Sequence, residues 1–224
     1  MQTIAYHEIE KSNSGLMQTN VLVVFGMQND KFTLLQDRKL SVVNLRGYDG
    51  IIGKVNKCID YAKNNDWKVV YALDIHHAMH CSFEKQGGDS KHHCILATWG
   101  SSHVCGLHYA IPGSEQVVRG LDIDGDSNDA FYITEKSQSA YSRESRLAEI
   151  IREHKKHNSK PANLYLCGIS PDGCIEKTAI TGQKLGNKTI IISDCSILLE
   201  PILESNIEGF TPTTLKTINE IEQL

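Results

Sequence analysis

The sequence predicts an α/β protein with a central, mostly parallel sheet. Apolar segments of strand length alternate along the chain with longer segments whose apolar residues recur at helical spacing. The segment from Trp67 to Leu73 is almost continuously apolar, which is typical of a parallel strand buried on both faces. Helices between such strands indicate βαβ units, whose sites lie at the carboxyl ends of the strands.

The elements of the first half follow from composition and period. Asn20 to Phe25 is an apolar run and is predicted as the first strand, and a polar loop is expected from there to about Tyr48. Ile51 to Ala62 has helical periodicity and ends before Asn64-Asn65-Asp66, a sequence that favours a turn. The strand from Trp67 to Leu73 comes next.

The second half repeats the alternation. Its predicted segments are a short strand from Ala130 to Thr134, an amphipathic helix from Ser142 to His157, a strand from Asn163 to Ile169, a helix from Cys174 to Leu185 and a strand from Lys188 to Ser193. Because no linker, repeat or low-complexity tract interrupts this order, residues 1–224 are interpreted as one domain. Residues 1–19 and 197–224 are its least readable parts.

Composition excludes several classes of protein. The 224 residues include 23 basic and 27 acidic residues, a net charge of −4, whereas a nucleic-acid binder needs a basic face. No apolar run approaches the thickness of a bilayer, and residues 1–8 lack the charged and apolar regions of a signal peptide. The seven irregularly spaced cysteines predict reduced thiols and a cytoplasmic protein.

Cys174 occupies a position that favours reactivity. It follows the strand ending near Ile169 and a tight turn, and it begins a predicted helix. A helix N-terminus presents unpaired N–H groups and the positive end of the helix dipole, and both stabilise a thiolate. The alternative is a packed cysteine without a chemical role, since free cysteine is among the most buried residue types. On this segment alone the two interpretations stand level.

Histidines are concentrated after the second predicted strand. Seven of the ten lie between His76 and His108, and Asp74 and His76 would point to the same side of an extended segment. Imidazole and carboxylate ligands suit zinc, iron or manganese, and a third ligand from another loop would leave positions open for catalysis. The alternatives are solvated histidines or a structural zinc site that uses cysteines. The cysteine spacing does not support the latter, so an Asp/His site is favoured.

Four blocks of sequence together resemble the isochorismatase-like cysteine hydrolases, and among them the nicotinamidases. They occur in that family's order between about residue 20 and residue 196. The blocks are Val21 to Asp30, Asp74/His76/His80 with His93-Cys94, Glu135-Lys136 through Ala140-Tyr141-Ser142, and Cys167 to Gly186. The resemblance implies a three-layer α/β fold, a Cys–Lys–Asp triad beside a metal, and hydrolysis of an amide through a covalent thioester.

The resemblance also implies roles for individual residues. Cys174 is the expected nucleophile, and Lys136 is the triad lysine that holds its thiolate by charge. The peptide bond between Ile169 and Ser170 falls where the family has a cis bond. The N–H groups of Ser170 and Cys174 would form the oxyanion hole, which stabilises the tetrahedral intermediate.

The implied metal is one divalent ion, with zinc expected and iron or manganese as alternatives. Its implied ligands are Asp74, His76 and His93, with His80 as the fourth. In the family this metal binds the ring nitrogen of nicotinamide, directly or through water, and orients the ring.

Two departures from the family pattern affect the predicted activity. Gly26 stands where the family has the general-base aspartate, whose loss removes a contribution of about 10²–10⁴-fold. Either a substitution that traps a ligand or a natural loss in a non-catalytic relative would explain it. Lys31 and Ser90 stand where the family often has aromatic residues of the pocket. Phe32, Tyr141 and Trp99 are therefore the candidates to rebuild that pocket.

The resulting prediction is a nicotinamidase that converts nicotinamide and water to nicotinate and ammonia for NAD salvage. The alternatives are a non-catalytic relative that binds a small ligand, or an amidase for another small amide. The expected partner is a small-molecule amide, without nucleic acid or membrane, and a homo-oligomer is expected.

Overall fold

The computed structural model describes most of the chain. The described residues are 20–37, 50–80, 82–109, 115–119, 147–158, 161–170, 173–198 and 215–223. Within them lie six strands and five α-helices, and two 3₁₀ turns at Glu84–Gln86 and Trp99–Ser101.

The six strands form one parallel sheet. They are β1 (Asn20–Phe25), β2 (Lys68–Asp74), β3 (Glu115–Arg119), β4 (Asn163–Ser170), β5 (Lys188–Leu198) and β6 (Leu215–Lys216). Their order across the sheet is β3-β2-β1-β4-β5-β6, and every neighbouring pair is parallel. Because β1 lies between β2 and β4, the carboxyl ends of these three strands meet at one edge.

The helices complete two further layers. They are α1 (Asn29–Asp37), α2 (Ile51–Asn64), α3 (Leu147–Asn158), α4 (Cys174–Lys184) and α5 (Ile218–Ile221). Alternate residues of β1 enter different cores, since Leu22 and Val24 pack in the cluster that includes apolar residues of α2 and α5. Val21, Val23 and Phe25 pack in a second cluster with residues of α3 and α4. The predicted α/β fold with a parallel central sheet is therefore confirmed.

Most of the predicted elements agree closely with the observed ones. The strands β1, β2, β4 and β5 and the helices α2, α3 and α4 were all predicted, although β5 continues to Leu198. The predicted strand from Ala130 to Thr134 lies outside the described residues, as do the first five residues of the helix predicted from Ser142.

Four observed elements were not predicted, and two of them, β6 and α5, lie in the least readable part of the sequence. The expected polar loop after β1 contains α1, whose buried residues include the polar Asn29 and Lys31 as well as Phe32. Periodicity failed here because burial of these polar side chains depends on contacts with distant residues. Strand β3 was also not predicted, since its sequence Glu-Gln-Val-Val-Arg offers only two apolar residues.

Two further observations concern the described residues alone. None of their helices combines the length and the apolar character needed to cross a membrane. All six cysteines among them are free thiols.

Candidate active site and metal centre

A small cavity opens where β1, β2 and β4 end. Its described lining consists of Phe25, Gly26, Lys31, Ala72, Asp74, Ile169 and Cys174. Three of these side chains can carry charge or act as a nucleophile, namely Lys31, Asp74 and Cys174. The cavity therefore joins the two sites that the sequence predicts separately, the nucleophile and the Asp/His cluster.

Asp74, His76 and His93 form a buried cluster beside this cavity. Their ligand atoms all lie within 4.8 Å of one another. His76 Nε2 is 3.0 Å from Asp74 Oδ1, and His93 Nε2 is 3.3 Å from Asp74 Oδ2. The structure thus brings together the three residues that the resemblance implies as metal ligands.

The hydrogen bonds of the histidine rings fit a cation between these atoms. The Lys91 carbonyl accepts from His93 Nδ1 at 2.8 Å, so the lone pair of a neutral His93 ring is on Nε2 and faces Asp74. His76 Nε2 makes no hydrogen bond with any described residue, although it lies so close to the carboxylate. The lone pair of His93 directed at the carboxylate repels it unless a cation lies between them, and two imidazoles with one carboxylate suit zinc, iron or manganese.

Backbone hydrogen bonds hold the His93 loop against the end of β2. The N–H of His76 donates to the Cys94 carbonyl at 2.9 Å, and the N–H of Leu96 donates to the His76 carbonyl at 2.9 Å. Asp30 Oδ2 accepts from the Cys94 N–H at 2.7 Å. Because Cys94 is adjacent to His93, these bonds fix the distance between the two histidines. Asp30 is thereby a positioning residue, and its carboxylate is directed at the His93 loop.

Gln28 positions Asp74 from the other side. Its side-chain oxygen accepts from the Asp74 N–H at 2.8 Å, and its amide nitrogen donates to the carbonyls of Asp74 at 2.9 Å and Ser101 at 2.8 Å. The side chain is fully buried, so these bonds are shielded from water. Gln28 belongs to the block that carries the resemblance, but nothing in the sequence indicated this role.

The turn at Trp99–Ser101 packs against the start of α1. Asn29 Nδ2 donates to the Trp99 carbonyl at 2.8 Å. A Cβ at Gly100 would lie 1.9 Å from Asp30 Oδ2, so only glycine permits this approach. These contacts hold the start of α1 against the turn.

Lys31 is the residue of the site that sequence reasoning missed. It lies in the first turn of α1, it is 2% exposed, and its ammonium forms an ion pair with Asp74 Oδ2. The sequence marked Lys31 only as a departure from an aromatic position. A buried lysine needs a carboxylate partner, but the sequence does not indicate which one lies within reach.

Cys174 is the first residue of α4, as predicted. It is 4% exposed and lines the cavity, and the dipole of the eleven-residue helix favours its thiolate. The next N–H, that of Ile175, donates to Ser170 Oγ at 3.1 Å, and Ser170 Oγ donates to Glu176 Oε2 at 2.9 Å. The end of β4 therefore supports the start of the helix through a side chain.

One prediction about this turn is wrong. The peptide bonds of the described residues are all trans, so the bond between Ile169 and Ser170 is not the expected cis bond. Both residues are completely buried, and they continue β4 alongside β5 up to Ser170. The bond is trans because continued pairing with β5 requires extended backbone through Ile169 and Ser170. The oxyanion role of the Ser170 and Cys174 N–H groups stays a prediction.

Three other thiols contact one another away from the cavity. Hydrogen bonding to Cys167, with burial, raises the pKa of the Cys58 thiol above its usual range. Hydrogen bonding to Cys58, with burial, similarly raises the pKa of Cys195. The thiols of Cys58 and Cys195 therefore stay protonated at neutral pH, whereas a helix N-terminus favours the thiolate of a cysteine.

Gly26 is fitted closely into the end of β1. Its φ of +55° lies in the left-handed region, and a Cβ there would lie 2.5 Å from the Ile169 carbonyl oxygen. Any other residue at this position requires the backbone of β1 or β4 to move. Among the described lining residues, Asp74 is therefore the single carboxylate, and it is already engaged by Lys31.

The other predicted site residues are placed as follows. Phe32 is 7% exposed and packs in the core with the α2 residues, so it does not line the cavity. Trp99 is 68% exposed, on the turn that accepts from Asn29. Lys136 and Tyr141 lie outside the described residues, and their roles stay predictions.

His80 is a neighbour of the cluster, and its ligand role stays a prediction. Its ring centroid is 4.3 Å from that of His76. The Ser82 N–H donates to His80 Nδ1 at 3.1 Å, which places the proton of a neutral ring on Nε2. Coordination through Nε2 would require this contact to change.

Comparison with known proteins agrees with this arrangement. A sequence model of the isochorismatase domain matches residues 20–201. No curated protein sequence matches the chain significantly.

Solved structures share the fold at low sequence identity. The pyrazinamidase of Pyrococcus horikoshii in complex with zinc is 22% identical, with a TM-score of 0.65 over 89% of this chain and 99% of that one. A nicotinamidase/pyrazinamidase of Acinetobacter baumanii is 21% identical, with a TM-score of 0.64 over 91% and 98%. The N-carbamoylsarcosine amidase of Thermoplasma acidophilum is 18% identical, with a TM-score of 0.63 over 92% and 99%.

The family match covers all of the residues that surround the cavity and extends over most of the chain. The structural similarities cover nearly the whole of each neighbour. This chain belongs to the isochorismatase family.

Proposed function

We propose that this protein is a metal-assisted cysteine amidohydrolase whose substrate is nicotinamide, acting in the cytoplasm in NAD salvage. The observation that carries the proposal is one cavity shared by Cys174 at a helix N-terminus and by Asp74 of a buried Asp/His/His cluster. The structural neighbours include a pyrazinamidase with zinc and a nicotinamidase with the inhibitor nicotinaldehyde, which supports a small amide of a ring carboxylic acid.

The first half of the proposed reaction belongs to Cys174. Its sulfur attacks the amide carbonyl carbon, and the helix N-terminus stabilises the negative charge of the thiolate. The bond from carbon to nitrogen then breaks, and ammonia leaves with the proton that the thiol has given up. A thioester of the ring acid remains on Cys174.

The second half consumes one water molecule. Its oxygen attacks the thioester carbon, the carbon–sulfur bond breaks, and one proton returns to the sulfur. In the family an aspartate at position 26 assists both proton transfers, and Gly26 offers no side chain for either. Hydrolysis of the thioester is therefore the slow step of this chain.

Asp74, His76 and His93 would hold the metal, and zinc fits this donor set. A divalent ion there would act as a Lewis acid toward a ring nitrogen and so orient the substrate. The carboxylate and the two rings are pre-positioned by Gln28 and by the Cys94 and Leu96 backbone, so little reorganisation is needed on binding.

A second candidate function is binding of a small ligand without turnover. The specific observation in its favour is Gly26, which fits the close approach of β1 to the Ile169 carbonyl and offers no basic side chain at the end of β1. A protein of this kind would bind nicotinamide and release it unchanged. The third candidate function is hydrolysis of another small amide.

Ammonia release from nicotinamide, pyrazinamide and N-carbamoylsarcosine tests these functions against one another. The zinc-loaded protein should release ammonia from the first two, and the Cys174→Ala variant should release none. Binding of nicotinamide by calorimetry with no ammonia from any amide would favour the binding protein. Release from N-carbamoylsarcosine alone would favour the other amidase.

A further inference from the structure

The ammonium of Lys31 lies beside Asp74, the carboxylate that is also expected to bind the metal ion. Lys31 reaches Asp74 from the first turn of α1, and both side chains are about 3% exposed. A buried carboxylate is costly without a cation, so the ion pair stabilises the protein when no metal is bound.

The ion pair involves the oxygen that faces His93. Asp74 Oδ2 contacts the Lys31 ammonium and lies 3.3 Å from His93 Nε2, whereas Oδ1 lies 3.0 Å from His76 Nε2. An ion held by both rings would therefore lie within a few ångströms of the ammonium. Two cations at such a distance repel strongly where water is excluded.

We infer that Lys31 and a divalent cation compete for Asp74, with the lysine ammonium serving as the counter-ion of Asp74 in the metal-free protein. Binding of the metal displaces the ammonium from Oδ2. Since Lys31 already lines the cavity, a change in its side-chain rotamer brings the ammonium there without a change in the backbone of α1. The inference rests on the metal site of the proposed function and is independent of amide hydrolysis.

Competition has a consequence that distinguishes Lys31 from a residue that only stabilises the fold. Removing its charge should destabilise the metal-free protein and at the same time tighten metal binding. A purely structural lysine would weaken both properties when it is replaced.

Zinc titration against a chromophoric chelator, without any substrate, tests the inference. The variants are Lys31→Gln, which keeps a hydrogen-bond donor, Lys31→Arg, which keeps the charge, and Lys184→Gln, an exposed lysine at the end of α4 as the control. We expect Lys31→Gln to bind zinc about tenfold or more tightly, since an adjacent charge alters the proton affinity of a carboxylate by such factors. The zinc affinities of Lys31→Arg and Lys184→Gln should stay within about twofold of that of the unchanged protein, because neither substitution alters the charge beside Asp74.

Thermal unfolding with and without zinc provides the second measurement. Zinc should raise the melting temperature of Lys31→Gln more than that of the unchanged protein. Folding of the Lys31→Gln variant only in the presence of zinc would also support competition. Equal or weaker zinc affinity in Lys31→Gln would overturn the inference but leave the metal site intact. No zinc binding in any variant would overturn the metal site itself, and failure of Lys31→Gln to fold even with zinc would also overturn competition.

Discussion

The neighbouring strands β1 and β2 end at the same cavity, but they end very differently. Asp74, the last residue of β2, is surrounded by two histidines, a buried lysine and the side chain of Gln28. Gly26, directly after β1, contributes no side chain and is pressed against the Ile169 carbonyl.

The two strand ends show that the site has well-held groups for binding but fewer groups for proton transfer in its proposed reaction. Groups that bind and orient are buried and held by several hydrogen bonds. Gly26 offers no side chain to move protons at Cys174, and Asp74, the single carboxylate among the described lining residues, is paired with Lys31. Thiol attack requires only the helix and charge around Cys174, whereas hydrolysis of a thioester requires an activated water. We therefore expect this chain to bind its substrate and to turn it over slowly.

Replacement of the nucleophile should have the largest effect on activity. In Cys174→Ala no thioester can form, so ammonia release should fall by about a thousandfold or more, as found when covalent nucleophiles are removed. The exposed Cys105→Ala serves as the matched control and should leave the rate unchanged. Equal rates in the two variants would contradict Cys174 as nucleophile.

Removal of the histidines at the end of β2 should abolish metal binding. In the double variant His76→Ala, His93→Ala the zinc affinity should fall by more than about a hundredfold, because even partners behind the ligands contribute 10–100-fold. The control is His108→Ala, which removes a half-exposed histidine that pairs with Asp60. Elemental analysis after dialysis measures the bound zinc. Retention of one zinc per chain by the double variant would place the metal elsewhere.

Restoring a carboxylate at the end of β1 directly tests the contrast between the two strands. Gly26→Asp should raise steady-state turnover by about 10²-fold, the size expected of a positioned base. Its matched control is Gly26→Asn, which has nearly the same shape and no basic carboxylate. A similar gain in both variants would show that a change of shape is responsible.

The same two variants should also be less stable. The positive φ and the approach to Ile169 should lower the free energy of unfolding by about 1–3 kcal/mol, a typical cost of such strain. Urea unfolding measures this cost. Unchanged stability would mean that the end of β1 relaxes easily, in which case the close fit of glycine is not a constraint.

The smallest expected effect is on the loss of folding stability at low pH, and it concerns His103, a residue outside the ends of β1 and β2. Burial lowers the pKa of His103 below its usual value of 6.5, against a weaker opposing hydrogen bond with the Met27 backbone. The unfolded chain therefore takes up the proton first as the pH falls below about 6.5, so the folded protein loses stability there. Replacement by glutamine should reduce the loss between pH 7.5 and 5.5, measured by urea unfolding. An identical loss in both proteins would contradict the lowered pKa.

Sequence was sufficient for the central strands β1, β2, β4 and β5, because these are apolar runs between amphipathic helices. Sequence was also sufficient to predict that Asp74 and His76 lie together, since residues two apart on an extended segment point to the same side. Cys174 at a helix start was likewise predictable from the strand, turn and helix pattern.

Sequence was insufficient where side chains meet across long distances in the chain. The contact of Lys31 with Asp74 and that of Asp30 with the Cys94 N–H depend on how α1 packs against the loops after β2. The trans bond before Ser170 and the burial of Phe32 likewise depend on tertiary packing. Residue type alone, or similarity to a family, does not determine such contacts.

Intact-protein mass spectrometry during one turnover tests whether Cys174 forms a thioester that is hydrolysed slowly. Zinc-loaded protein is mixed with excess nicotinamide, and the mass of the chain and the released ammonia are followed together. We expect one rapid equivalent of ammonia per chain and a nicotinoyl group on Cys174. This group should disappear slowly in the unchanged protein and quickly in Gly26→Asp. Binding of nicotinamide with neither ammonia nor added mass would contradict the hydrolase and leave a ligand-binding protein.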